Sequence, residues 1–280
     1  MIRARATTLL AALAALAALA GCSDAGPRAA PLSAGMATLT VSTSGALLPL
    51  LLETANQYMR LTPGVAIVVS SDGESTAVRD VARGELSVAV TNLPIDADAA
   101  RLDVRPLADV AIALLANRGS FNEAVSGVTR AQLRGIITAR INNGSALGGR
   151  DQRIVWIDRR QSGEHAALAH LLGLADFCPS LSEEASAVTT PSELQARLGA
   201  LSYAALPYRH PDFTLIPVDG VEPTVASVQS GAYPLRVRAQ LVLRKDGPAA
   251  ARAFADYLSS PAVQNDLLDQ MGYAPVARRQ

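Results

Sequence analysis

Three short polar turns in this sequence combine small hydroxyl side chains with glycine, and each stands between an apparent strand and an apparent helix. They are Ser42-Thr43-Ser44-Gly45, Ser70-Ser71-Asp72-Gly73-Glu74-Ser75 and Gln161-Ser162-Gly163. The start of a helix presents unpaired backbone N–H groups that favour an anion, and hydroxyl groups add further donors. Several such turns meeting in one cleft predict an oxyanion site. Taken singly, each turn is better explained as the N-cap of its own helix.

Nucleophilic catalysis is the other chemistry that a serine in a strand-to-helix turn suggests. Ser75 follows the strand VAIVVSS and precedes a helix, as in the nucleophile elbow of esterases. Glu74, however, would place a negative charge beside the developing oxyanion, and too little chain precedes Ser75 to supply an oxyanion loop. Ser162 has no such elbow around it. We therefore expect no catalysis, and a serine esterase-like enzyme that uses Ser75 is a remote alternative.

Histidine and cysteine are too sparse and too poorly spaced to predict a metal site or another cofactor. The histidines are His165, His170 and His210, and the first two are five residues apart, which places them on different faces of a helix. Cys178 lies in the apolar stretch ADFCPSL and is expected to be a buried structural thiol.

The bulk composition allows a large core and argues against two classes of partner. Of the 280 residues, 49% are hydrophobic and 18% are charged, and the formal net charge is zero. Nucleic-acid binding, or attachment to a membrane through basic residues, would call for a basic stripe or patch. We expect a monomer that consists of one large domain or of two α/β lobes.

The N-terminal residues indicate a targeting segment and not a part of the fold. Arg3 and Arg5 precede the apolar run TTLLAALAALAALA, which is too short to span a membrane. The following Leu19-Ala20-Gly21-Cys22 resembles a bacterial lipobox. Residues 1–21 are therefore predicted to be a lipoprotein signal peptide, with Cys22 lipidated and residues 22–36 forming a flexible tether in the cell envelope.

From residue 37 onward, strand patterns alternate with helix patterns. ATLTVST, VAIVVSS, SVAVTNL, ADVAIALLANRG and RIVWID are typical of strands, whereas LLPLLLETANQYMRL, VTRAQLRGIITAR and AALAHLLGLA have helical spacing. Thr129 is the expected N-cap of the second of these helices. The alternation predicts an α/β protein built from βαβ units around a mainly parallel sheet. Because no sharp linker divides the chain, two lobes would require it to cross between them more than once.

Four longer stretches resemble the phosphate-binding proteins of bacterial ABC importers, which have the type II periplasmic binding protein fold. The stretches are VSTSGALLPLL, VTRAQLRGIITARINNGSALGG, LIPVDGVEPTVASVQSGAYPLRVRAQLVLRKDG and FADYLSSPAVQNDLLDQMGYAPV, and the resemblance covers nearly all of residues 38–277. It implies two α/β lobes joined by two hinge strands, which close around a ligand. It also implies inorganic phosphate or a similar oxyanion as ligand, an ABC permease as membrane partner, and no catalysis.

The resemblance places the crossings between lobes near Val110–Ala116 and Arg236–Leu243. Lobe 1 would then comprise residues 37–112 and 237–280, and lobe 2 would comprise residues 113–236. Such a protein works outside the cytoplasm, in agreement with the predicted signal peptide and lipid anchor.

The resemblance also implies an anion site where several strands end. The residues predicted to bind the ligand are Thr43, Ser44, Ser75, Asn92, Arg159, Ser162 and Gly163. In the second loop the family has a serine, and depending on the alignment Glu74 or Ser75 occupies its position here. Asn92 replaces an aspartate that accepts a proton from bound phosphate. Because an amide can donate to a fully ionised oxyanion, Asn92 favours a ligand without a proton or a looser selectivity.

The stretch DRRQSGEH, residues 158–165, departs most from the family pattern. Asp158 occupies the place of an arginine and Glu164 that of a threonine, whereas Arg159 comes one residue late. Asp158 there would repel an anion, and the adjacent Arg159 and Arg160 should point to opposite sides, so that at most one faces the cleft. Glu164 could itself occupy the helix N–H groups that an anion would use. A degenerate binding or sensory module of the same fold, with another ligand or a protein partner, is therefore an open alternative.

Overall fold

A computed structural model gives the fold of most of the chain beyond the N-terminal segment. It describes residues 36–71, 74–93, 95, 100–117, 125–160, 162–178, 182–184, 190–209 and 212–276. The predicted signal peptide, Cys22 and all of the tether except Met36 lie outside these residues, and for Glu74 and Ser75 only the backbone is described. Across the described residues, none of the helices combines the length and the apolar character that a membrane crossing requires.

The described elements follow the predicted alternation of strands and helices. The strands are β1 Ala37–Thr43, β2 Val65–Ser70, β3 Val88–Thr91, β4 Leu102–Asn117, β5 Val155–Asp158, β6 Ser182–Glu184, β7 Ala200–Ala205, β8 Phe213–Ile216, β9 Arg236–Arg244 and β10 Ala274–Pro275. The helices are α1 Leu48–Leu61, α2 Glu74–Arg83, α3 Arg130–Ile137, α4 Gly163–Leu172, α5 Thr190–Ala196, α6 Val225–Gln229, α7 Ala249–Leu258 and α8 Leu268–Gln270. A π-helical turn, Ala262–Leu267, precedes α8, and short 3-10 turns occupy Gly45–Leu47, Gly144–Leu147 and Leu206–Tyr208.

The sheet is mixed, so the prediction of a mainly parallel sheet was wrong. Its strands follow the order β2-β1-β3-β9-β4-β7-β5-β6, and β8 and β10 also pair with β4. Pairing is parallel within β2-β1-β3 and within β7-β5-β6. Every described pairing of β4 and β9 is antiparallel. These two long strands connect the parallel groups, and a local sequence pattern does not record which way a strand runs relative to a distant neighbour.

Two large clusters of buried apolar side chains lie along the sheet. The first draws on residues 39–110 and 239–273, with Ala205, and the second draws on residues 111–235, with Ala274. The first part of β4 pairs with β9, and its last part pairs with β7 and β8. Strand β4 therefore passes from one cluster to the other.

Local signals account for the start and the accessibility of particular elements. Thr129 caps α3 as predicted, in a capping box with Gln132. Cys178 is half-buried and not buried as predicted, because the neighbouring Phe177, 2% exposed, fills the core. The backbone N–H of Cys178 donates to the carbonyl of Ile137 at 3.0 Å.

Candidate functional site

The turn after β1 and the residue after β3 lie at the same edge of the sheet. Strands β1 and β3 are parallel neighbours with Thr43 opposite Val90, and the backbone N–H of Ser44 donates to the Val90 carbonyl at 3.3 Å. Asn92 follows directly after β3 and is 8% exposed. The structure thus brings together the first turn and Asn92, which were predicted to share a site.

The hydroxyl groups of this first turn are buried without partners. Thr43 and Ser44 are both 0% exposed, and neither hydroxyl makes a hydrogen bond within the described part of the chain. Ser44 precedes the turn Gly45–Leu47 but its side chain does not cap it. Buried polar groups are normally satisfied, since leaving one unpaired costs about 1–3 kcal/mol. Each of the two hydroxyls can therefore donate a hydrogen bond to a ligand.

Two tyrosines that sequence reasoning missed hold the first turn in place. The hydroxyl of Tyr208 donates to the Gly45 carbonyl at 2.7 Å, and that of Tyr273 donates to the Ala46 carbonyl at 2.8 Å. Tyr208 comes just after β7, which pairs in parallel with β5. Polar residues at the ends of parallel strands often share a site, and this signal could have identified Tyr208 from the sequence. Burial and then the charge of Glu164 raise the pKa of Tyr208 to about 12, with Arg159 opposing the shift.

The third turn serves as the N-cap of α4. The Ser162 hydroxyl oxygen accepts a hydrogen bond from the backbone N–H of His165 at 3.1 Å, and Gly163 is the first helical residue. A serine in this role uses its oxygen as the acceptor, so its O–H can still donate to another group. The capping explanation therefore applies to Ser162, and it does not prevent Ser162 from contacting a ligand.

Arg159 and Arg160 diverge, as their adjacent positions predicted. Arg159 is 7% exposed, and its Nη2 lies 3.0 Å from Oε1 of Glu164. Its guanidinium carbon lies 5.7 Å from the centre of the Tyr203 ring. Arg160 is half-buried on the other side, with its Nε 3.7 Å from Oδ2 of Asp158. Of the two arginines, Arg159 is therefore the one that contacts Glu164, the side chain beside the first turn.

Asp158 is fully buried and accepts hydrogen bonds from neighbouring side chains. It is 0% exposed, and its Oδ1 accepts hydrogen bonds from the Tyr203 hydroxyl at 2.6 Å and from Nδ1 of His165 at 2.9 Å. The other ring nitrogen of His165 lies 3.1 Å from Oδ1 of Asp176. The hydrogen bond with Asp158 is the main cause that raises the pKa of His165, against its partial burial. Asp158 is thus engaged by its own neighbours, which weakens the repulsion that its position predicted.

Glu164 is the acidic residue that faces the first turn. It is 1% exposed, and a β-carbon added to Gly45 would lie 3.8 Å from its Oε2. Its carboxylate contacts Arg159 and makes no hydrogen bond with the helix N–H groups that it could have occupied. Oε2 of Glu164 and Nε of Arg159 make no hydrogen bond among the described residues. The ion pair therefore leaves polar atoms on both side chains open to a further partner.

These groups together can hold a small anion. The buried hydroxyls of Thr43 and Ser44, the buried guanidinium of Arg159 and the half-buried start of α4 all provide hydrogen-bond donors. Ser75, the remaining predicted residue, is the second residue of α2, and its side chain lies outside the described structure. These groups lie in an architecture of two parallel groups of strands connected by β4 and β9, which is the type II periplasmic binding protein fold.

Comparison with known proteins assigns the family. The chain belongs to the PBP superfamily, because residues 28–262 match the PBP superfamily domain. A curated relative, the phosphate-binding protein PstS of Bacillus subtilis (strain 168), is 29% identical over 245 residues, which cover 85% of this chain and 81% of the relative.

Solved structures show the same fold at lower identity. A putative phosphate ABC transporter substrate-binding protein from Clostridium perfringens, solved with bound phosphate, has a TM-score of 0.76 at 23% identity, covering 85% of this chain and 99% of its own. An ABC-type phosphate transport receptor from Vibrio cholerae has a TM-score of 0.73 at 21% identity, covering 84% and 99%.

Proposed function

We propose that this protein captures phosphate or a related oxyanion outside the cytoplasm and delivers it to an ABC importer, without catalysing a reaction. The observation that carries the proposal is the pair of unpartnered, fully buried hydroxyls of Thr43 and Ser44 beside the Arg159–Glu164 ion pair. Anion binding would satisfy these donors and remove the cost of leaving them unpaired. The names of the relatives support phosphate as the anion and transport as the purpose.

Capture would use hinge closure between two lobes. Lobe 1 would comprise residues 37–112 and 237–280, and lobe 2 residues 113–236. The two apolar clusters and the change of partners along β4 support this division. Because the chain would cross between the lobes along β4 and β9, a ligand that contacts both lobes would favour the closed state. In this proposal the protein is a monomer, and a lipid on Cys22 holds it at a membrane near its permease.

Thermal unfolding in the presence of single anions tests the proposal. Phosphate, sulfate, molybdate and arsenate would each be added at millimolar concentration to phosphate-free protein. At about a hundredfold excess over Kd, a ligand stabilises by about 2.7 kcal/mol. For a domain of this size we expect phosphate to raise Tm by about 5–10 °C. If none of the four anions raises Tm, oxyanion capture is wrong.

Two neighbouring arginines provide matched variants for this experiment. Arg159→Gln removes the guanidinium that contacts Glu164, and Arg160→Gln removes the one that contacts Asp158. We expect the phosphate-induced rise in Tm to be lost in the first variant and kept in the second. Because each variant is compared with itself without phosphate, any change in its basal stability does not affect the conclusion.

The Arg159–Glu164 ion pair also favours a second candidate function, a module of the same fold that has given up oxyanion binding. In this alternative Glu164 neutralises Arg159 permanently, and the protein recognises another ligand or a protein partner. It predicts that Arg159→Ala and Ser162→Ala change no binding function. Loss of phosphate binding in either variant would exclude this candidate.

A further inference from the structure

Glu164 brings a fixed negative charge to the place where an oxyanion would bind. Its side chain is 1% exposed, with Oε1 3.0 Å from Nη2 of Arg159. Its Oε2 lies toward the first turn, 3.8 Å from where a β-carbon on Gly45 would be, and makes no hydrogen bond among the described residues. The carboxylate therefore has acceptor capacity left on the side of Thr43 and Ser44.

An ionised carboxylate can only accept hydrogen bonds. The guanidinium of Arg159 can only donate them, and the hydroxyls of Thr43 and Ser44 can donate or accept. An oxyanion that accepts from the Thr43 and Ser44 hydroxyls and from Arg159 must come next to Glu164. If every oxygen of the ligand is ionised, acceptor then faces acceptor in a buried site. If one oxygen carries a proton, that O–H can donate to Oε2, and the bond is charge-assisted.

We propose that Glu164 is a specificity-determining residue, whose carboxylate accepts a hydrogen bond from a protonated oxyanion and thereby excludes a fully ionised one. The inference rests on the proposed function, since it concerns the same site. Asn92 does not make this distinction, because its amide can donate as well as accept. The presence of Glu164 thus reverses the expectation, drawn from Asn92 alone, of a ligand without a proton.

Phosphate and sulfate are the probes that separate these cases. Near neutral pH, hydrogenphosphate and sulfate are tetrahedral dianions of similar size, and only hydrogenphosphate has a proton to donate. Their affinities would be measured by calorimetric titration of wild type and of Glu164→Gln, which keeps the shape of the side chain but can donate through its amide.

A matched control exists in α5. Glu193 is also in the first turn of its helix, and its Oε2 lies 3.0 Å from Nη2 of Arg197, but this pair is partly exposed. Glu193→Gln therefore removes an equivalent carboxylate–arginine contact away from the proposed site. We expect it to bind both anions as wild type does.

For wild type we expect phosphate to bind at least about a hundredfold more tightly than sulfate. A sulfate oxygen would face the Glu164 carboxylate in a buried site with no proton between the two acceptors, and such a ligand binds poorly. Glu164→Gln should reduce this preference at least about tenfold, mainly by gaining sulfate affinity. Unchanged preference in Glu164→Gln, or equal binding of the two anions by wild type, would overturn the inference and leave phosphate capture standing. If wild type binds neither anion but Glu164→Gln binds phosphate, the carboxylate blocks the site, and both the inference and the proposed function are wrong.

Discussion

Replacing Thr43 by valine should leave the empty protein at least as stable as wild type while weakening phosphate binding. The Thr43 hydroxyl is buried and makes no hydrogen bond among the described residues. A buried polar group in this condition costs about 1–3 kcal/mol, and valine replaces the hydroxyl by a methyl group of nearly the same shape. We therefore expect the free energy of unfolding without phosphate to stay unchanged or to rise by about 1–2 kcal/mol.

Thr54 supplies the control, because it is equally buried but its hydroxyl is satisfied. That hydroxyl donates to the Leu50 carbonyl at 2.8 Å within α1. Thr54→Val removes one intramolecular hydrogen bond and should cost about 1 kcal/mol. Threonine and valine have similar helix propensities, so the backbone preference adds little to this difference. The two threonine-to-valine changes should thus affect the stability of the empty protein in opposite directions.

Phosphate binding should separate the same two variants the other way round. A hydrogen bond to a charged group contributes about 1.5–3 kcal/mol, so Thr43→Val should bind phosphate roughly ten- to a hundredfold more weakly. Thr54→Val should bind it as wild type does. Urea unfolding of phosphate-free protein and calorimetric titration with phosphate provide the two measurements.

The reasoning fails on either of two results. If Thr43→Val loses as much stability as Thr54→Val without phosphate, the Thr43 hydroxyl has a partner inside the protein. If Thr43→Val binds phosphate as tightly as wild type, its hydroxyl does not face the ligand, and the site must be built from other donors.

Two further predictions concern charges next to the site and between the apolar clusters. The pKa of His165 is raised above its ordinary value of 6.5, mainly by the hydrogen bond with Asp158, so the protonated ring stabilises the fold at low pH and this contribution disappears as pH rises through the raised pKa. Urea unfolding between about pH 6 and pH 8.5 should show that decline in wild type and in His170→Gln but not in His165→Gln, and parallel pH profiles would contradict it. Asp109 of β4 is buried and accepts two hydrogen bonds of 2.8 Å from Arg238 of β9, so Asp109→Asn should cost about 1–2 kcal/mol in unfolding free energy. Asp246→Asn breaks an equally short but exposed pair with Arg244 and should cause no measurable loss, so equal effects of the two changes would refute the role of burial.

Local sequence patterns predicted the parts of the site that lie on single strand–turn–helix units. Thr43 and Ser44 were predicted because hydroxyls follow a β-branched strand, and the divergence of Arg159 and Arg160 followed from their being adjacent. The N-cap role of Ser162 was also among the alternatives. Each of these inferences needs only a few neighbouring residues.

Contacts between distant segments could not be predicted in this way. Tyr208 bonds to Gly45 across 163 residues of sequence, and Tyr203 bonds to Asp158 across 45. These contacts depend on which strands lie side by side, and the direction of β9 relative to β3 and β4 has no local signature. The same limitation made the sheet seem mainly parallel. The overall fold was recovered only because long stretches resembled a known family.

The two acidic residues of DRRQSGEH show what the three-dimensional arrangement adds to the sequence. On sequence alone, Asp158 and Glu164 are alike, since each puts a negative charge where an anion is expected. In the structure, Oδ1 of Asp158 accepts hydrogen bonds from Tyr203 and His165, whereas Oε2 of Glu164 lies toward Gly45 of the first turn and makes no hydrogen bond among the described residues. Asp158 does not choose between ligands, because its partners Tyr203 and His165 remain the same with any of them. We therefore expect selectivity between anions to depend on Glu164, and a change at Asp158 to affect stability more than it affects the choice of ligand.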